Sequence, residues 1–133
     1  MVKRLFITLG CMIYIMTACS GKSTNLITAD DASAGSTIEM RVGDKLDVKL
    51  EGNPTTGYNW TIESVDSQII KQLGESEFKQ NKQSQNLVGA GGSIIHHFEA
   101  IKSGQTQLKL IYHRPWETDV APIKIFEITI VVR

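Results

Sequence analysis

From Thr37 onward, apolar residues recur at every second position, a period that commits the chain to β-strands with one buried face. Ile38, Met40 and Val42 alternate with polar neighbours, Gly43-Asp44 marks a turn, and Leu46, Val48 and Leu50 resume the alternation. Ile94, His96, Phe98 and Ala100 share a face, Ser103-Gly104 turns the chain, and Leu108, Leu110 and Tyr112 return. Phe126, Ile128, Ile130 and Val132 line one face of a last strand over 124–132, and Trp60 has the size of a core anchor. Helical spacing appears only within residues 66–80, at Ile69, Ile70 and Leu73, before Gly74 interrupts it. The pattern there predicts one turn of helix leading into an extended piece around Phe78. A parallel sheet would need crossover helices, for which the chain has neither room nor pattern. Short strands separated by turns predict an all-β antiparallel sandwich.

The N-terminus follows different rules. Lys3 and Arg4 precede an almost wholly apolar run from Leu5 to Met16, and Thr17-Ala18 then place small residues before Cys19. That order predicts a secretory signal over 1–18; the apolar run is too short to remain as a spanning helix. The ending Met16-Thr17-Ala18-Cys19 resembles a bacterial lipobox, which implies cleavage before Cys19 and acylation of its thiol. Residues 19–35, rich in Ser, Thr, Ala, Asp and Gly, read as a lipidated Cys and a flexible tether, and 36–133 as one domain. The expected location is the cell envelope, lipid-anchored at the outer membrane, in the periplasm or on the surface. Ser20 is compatible with outer-membrane sorting in a Gram-negative cell.

Cysteine and charge narrow the chemistry. Cys11 and Cys19 are the only cysteines; one leaves with the signal and the other carries lipid, so the domain has no disulfide, thiol nucleophile or thiolate ligand. Without Lys3 and Arg4 the mature chain has 12 basic against 14 acidic side chains, and a formal charge of −2 offers nucleic acid no basic stripe. His96 and His97 are neighbours and face opposite sides of a strand, so they do not share a metal. His113 has no nucleophile or carboxylate at a recognisable spacing. The expectation is a protein that is not an enzyme, needs no cofactor or metal, and acts as a monomer.

Three loops carry more specific chemistry than turns require. In Asn53-Pro54-Thr55-Thr56-Gly57-Tyr58, Pro54 fixes its own φ and extends Asn53, Gly57 permits positive φ, and the Asn and Thr side chains can close local hydrogen bonds. Gly89-Ala90-Gly91-Gly92 lets backbone approach another surface, and lacks the Lys-Ser/Thr and helix of a phosphate loop. Arg114-Pro115-Trp116-Glu117 sets a Trp just past the end of a strand, and Trp and Arg are the types most enriched in binding hot spots.

Taken together and in this order, the three loops resemble those of the chagasin family of cysteine-protease inhibitors, over about residues 36–133. The resemblance implies an immunoglobulin-like β-sandwich whose three binding loops cluster at one end and wedge into the cleft of papain-family proteases. It implies that Thr55 and Thr56 approach the catalytic Cys and His, that Gly57 keeps the loop tight, and that Arg114 and Trp116 supply side-chain contacts beside the cleft. Inhibition would be reversible and tight. His96 departs from the family, which more usually has an apolar or aromatic residue there; a partly buried, hydrogen-bonded neutral His or a register shifted by one would account for it. The alternative is a non-inhibitory immunoglobulin-like binding or adhesion lipoprotein, because a fold alone does not fix a role.

Overall fold

The computed structural model describes residues 21–84 and 86–133; the signal expected over 1–18 and the lipidation expected at Cys19 lie outside them. Nine strands form two sheets: β1 (Leu26–Asp30), β2 (Thr37–Met40), β3 (Lys45–Gly52), β4 (Asn59–Ser64), β5 (Ile70–Gln72), β6 (Glu77–Gln80), β7 (Gly92–Ala100), β8 (Gly104–His113) and β9 (Lys124–Val132). In the first sheet β3 lies between β1 and β7, and β5 and β6 share the far edge of β7 end to end. The second runs β2-β9-β8-β4. Among the described residues the only helices are three short 3-10 turns.

The alternation found in the sequence is the core. Leu46, Val48 and Leu50 of β3, Ile94, Phe98 and Ala100 of β7, Leu108, Leu110 and Tyr112 of β8, and Phe126, Ile128, Ile130 and Val132 of β9 meet between the sheets with Trp60. Period two places them on one face, and burying a side chain of this size contributes about 1.5–3 kcal/mol. Trp60 is anchored at both ends: its ring packs on Tyr112 and its indole N–H donates to the Glu51 carbonyl at 2.9 Å.

Two expectations change in detail and a third is met. Part of the span expected as a flexible tether, 19–35, is ordered, because Leu26–Asp30 is a strand with Ala29 fully buried. β1 pairs with β3, and β2 with β9, in parallel, while every other pair is antiparallel. Both parallel strands are edge additions, held by the backbone groups of the strand they join, so a run with only Ile27 and Ala29 turned inward suffices. The helical turn is a single one, closed by Ile70 N–H donating to the Asp66 carbonyl at 3.1 Å, and β5 begins at once.

His96 does lie on the inward face, so the register is not shifted. It is 3% exposed and stacked near Phe98, and neither ring nitrogen makes a hydrogen bond of good geometry, the Trp60 backbone lying beside it. Burial pushes its pKa below the usual histidine value; the Trp60 backbone nearby offsets part of that, and His97 adds to it.

The register fixes two poles. At one, Gly52 of β3 faces Gly92 of β7 and Asn59 of β4 faces His113 of β8, so the β3–β4, β6–β7 and β8–β9 connections gather there. At the other, Lys45 faces Leu26 and Glu99, Gly104 faces Val132, and the turns 41–44 and 101–103 meet the C-terminus.

Candidate functional site

The first loop holds its own shape. Pro54 begins a 3-10 turn over Pro54–Thr56, a position where its missing N–H costs nothing. Asn53 caps that turn, its side-chain oxygen accepting from Thr55 N–H at 3.2 Å and from the Thr55 hydroxyl at 2.6 Å. The Thr56 hydroxyl donates to the Asn53 carbonyl at 2.6 Å, and Gly57 ends the turn at φ +82° with its N–H on the Pro54 carbonyl. The loop is also bolted to the core, since Asn53 N–H donates to the Tyr112 hydroxyl at 2.9 Å. Pro54, Thr55 and Thr56 remain exposed at the tip.

The other two loops are tied to it. The Asn53 amide donates to the Gly89 carbonyl at 2.8 Å, joining the first loop to the second. Gly89 takes φ +78°, a left-handed conformation that favours glycine. Arg114 Nε donates to the Thr56 carbonyl at 3.2 Å, its guanidinium lies 4.5 Å from the Tyr58 ring centre, and Nη1 pairs with Glu117 at 3.3 Å. The Trp116 indole covers Gly57: a Cβ there would lie 3.0 Å from Cζ2 and closer still to Cη2. Trp116 is nevertheless 68% exposed. The structure therefore brings Asn53, Pro54, Thr55, Thr56, Gly57, Tyr58, Gly89, Ala90, Arg114, Pro115, Trp116 and Glu117 to one end.

Two residues assigned to contact also have roles within the domain. Arg114 is spent on three internal partners and works as a strut between loops, with its charge met by Glu117. Gly92 is buried in β7, where a Cβ would run into the Lys79 carbonyl and the Gln80 Cα of β6. Its missing side chain serves the sheet. Gly91, half-buried, lies against Gly52 and Asn53.

The sequence reading missed Leu87 and Val88. They stand next to Gly89 with 64% and essentially full exposure, the only large apolar side chains that the second loop presents among the described residues. Their signal was an apolar pair outside any alternating strand. With exposed Phe78, Thr55 and Ala90 they line a shallow hollow at the shoulder of the site. The end as a whole combines apolar tips with two Thr hydroxyls on a stiff frame, which suits insertion into a cleft. Among the described residues no three His, Cys, Asp or Glu side chains converge.

Comparison with known proteins agrees with this geometry. The family model described as "Chagasin family peptidase inhibitor I42" matches residues 39–130. Chagasin of Trypanosoma cruzi is 31% identical over 86 residues, covering 64% of this chain and 78% of that protein. A crystal structure of a cysteine protease inhibitor from Entamoeba histolytica superposes with a TM-score of 0.75 at 25% identity, over 85% of this chain and all of that one. A third, PbICP-C in complex with falcipain-2, matches at TM-score 0.52 and 25% identity, over 83% of this chain and 91% of that one.

Proposed function

The chain belongs to the chagasin family of peptidase inhibitors, and from that premise we propose that it blocks papain-type cysteine proteases by seating its three-loop end in their active-site cleft. It is an inhibitor of cysteine proteases and not an enzyme. The observation that carries the mode of action is the tying of the loops to one another before any partner arrives: Asn53 to Gly89, Arg114 to Thr56, Trp116 onto Gly57. Ordering these groups in advance removes part of the entropy that association would otherwise cost. Pro54, Thr55 and Thr56 form the tip that meets the catalytic Cys and His, while Leu87-Val88 and Trp116 flank it. The tip backbone is bent into a 3-10 turn, unlike the extended strand a protease cleaves, so it covers the nucleophile without offering a scissile bond in line.

The inhibitor acts as a monomer from a lipid anchor on Cys19 in the cell envelope; the order Met16-Thr17-Ala18-Cys19 after a charged start and an apolar run supports that reading. The deciding experiment titrates residues 20–133 against active papain, a cathepsin L-type enzyme and a bacterial papain-like protease with a fluorogenic substrate. Stoichiometric or nanomolar inhibition, weakened by Thr56→Gly and by Trp116→Ala in variants that remain folded, is expected. A folded domain inert against all three would sink the reading in favour of a binding lipoprotein.

A further inference from the structure

The chain enters the sandwich at the pole opposite the loops. β1 runs parallel to β3 with Leu26 beside Lys45 and Asp30 beside Lys49, so Asn25 stands where β3 begins and Asn53 where it ends. The entry point is pinned: Asn25 N–H donates to Asp44 Oδ1 at 3.0 Å, and Lys45 N–H to the Asn25 carbonyl at 2.8 Å. Between Cys19 and Asn25 lie only residues 20–24, a reach of at most about 20 Å when fully extended. The eight residues of β3 then carry the chain roughly 26 Å further to the loops.

What this pole exposes suits a phospholipid surface. Lys22, Arg41, Lys45 and Lys102 are exposed and form no ion pair among the described residues. Carboxylates lie among them, and one of these faces Lys45 across the strands. Asp44 is buried and accepts the Asn25 and Arg41 N–H groups, which hold its pKa below the usual carboxylate value. Glu39 holds Arg133 at 2.8 Å, Glu99 lies across the strands from Lys45 and Lys71, and Asp66 accepts the Gln68 N–H. Leu26 and Ile101, 63% and 42% exposed, add apolar side chains at the same end. Cations beside a short lipid tether are drawn to anionic headgroups, and apolar tips enter the interface.

We propose that this pole, with Arg41, Lys45, Ile101 and Lys102, is a lipid-facing surface that rests on anionic phospholipid and points the inhibitory end away from the membrane. The proposal builds on the lipid anchor at Cys19. Its consequence is that the inhibitor intercepts protease arriving from the surrounding solution, holding it a domain's length above the bilayer.

The mature chain has a single thiol, Cys19, which allows coupling to a maleimide phospholipid in vesicles of phosphatidylcholine and phosphatidylglycerol. Trp116 reports the loop end, Trp60 is buried and constant, and Ile101→Trp adds a reporter at the other pole. With a nitroxide on the lipid headgroup, the Ile101→Trp reporter should lose more than half its emission while the wild type keeps nearly all of its own. Adding Arg41→Glu and Lys102→Glu should relieve the loss. Quenching of Trp116 equal to that of the introduced reporter would overturn the orientation, and equal quenching on pure phosphatidylcholine would overturn the role of the cations. Mass analysis of the full chain from bacterial membranes tests the anchor itself; absence of acyl groups on Cys19 overturns the proposal, while papain titration of the same sample reports separately on inhibition.

Discussion

Replacing Gly57 by alanine tests whether the loop and Trp116 work as one unit. The residue sits at φ +82°, where an L-side chain costs about 1 kcal/mol. The new methyl would also overlap the Trp116 ring. That indole is two-thirds exposed, so it can swing away without opening the core. Global stability should therefore fall by only the backbone strain, about 1 kcal/mol, or roughly 4 °C in Tm for a domain of this size. Binding should suffer more. A central Trp anchor contributes about 2 kcal/mol or more, so displacing it should raise the inhibition constant against papain about thirtyfold. A double-mutant cycle separates the two effects. With Trp116→Ala already present there is no ring to displace, and Gly57→Ala should then cost little beyond the strain, leaving a coupling of at least about 1 kcal/mol between the two positions. Fluorogenic titration of the four proteins, with thermal melts by circular dichroism, supplies both numbers. Unchanged inhibition by Gly57→Ala, or effects that simply add, would refute the coupling of loop and indole.

Asn53→Ala removes the tie to Gly89 and the cap on Thr55, and should cost about 1 kcal/mol of stability. Inhibition should weaken about fivefold by the same conversion, with faster hydrogen exchange at the Thr55 amide; protection left intact there would deny Asn53 its ordering role. Val88→Asp changes a fully exposed side chain, so stability should stay within about 0.5 kcal/mol while inhibition weakens; an unaltered inhibition constant would place the second loop outside the interface. His96 is held neutral in the fold with its pKa below 6.5, so its stabilising share is complete above that pH and is lost as the pH falls below it, by up to about 1.4 kcal/mol per pH unit. His96→Leu should flatten the decline in Tm between pH 7 and 5, and an equally steep decline in the variant would show that other groups set it.

What could be read from the chain follows the range of the interactions. β3, β7, β8 and β9 announce themselves because each buries three or more alternating side chains. β6 buries none of its four residues and exists through backbone pairing with β7, so it is legible only as an extended piece around Phe78. β1 escaped notice for a related reason, with Ala29 its one fully buried residue amid polar composition. The shape of the first loop was legible because cap, proline and left-handed glycine lie within five residues of one another. Its neighbours were not, because Arg114 and Trp116 reach it from across 58 or more positions and nothing local records that contact.

This difference in range explains why neither the internal ties of Arg114 nor the exposure of Leu87 and Val88 can be read from the chain. An Arg beside an exposed Trp has the composition of a binding hot spot, yet its carbonyl, carboxylate and aromatic partners are all internal. Arg114, Asn53 and Gly57 stiffen the end of the sandwich, and Tyr112 carries that stiffness into the core through the Asn53 N–H. Groups already satisfied within the domain gain little from a partner, but they lower the entropy that the exposed ones lose on docking. The exposed side chains at this end are Pro54, Thr55, Thr56, Leu87, Val88, Pro115 and Trp116, with the Thr55 and Thr56 hydroxyls already bonded to Asn53. Substitutions at Leu87, Val88 and Trp116 should therefore change inhibition with little effect on Tm, whereas Asn53→Ala and Arg114→Met should change both.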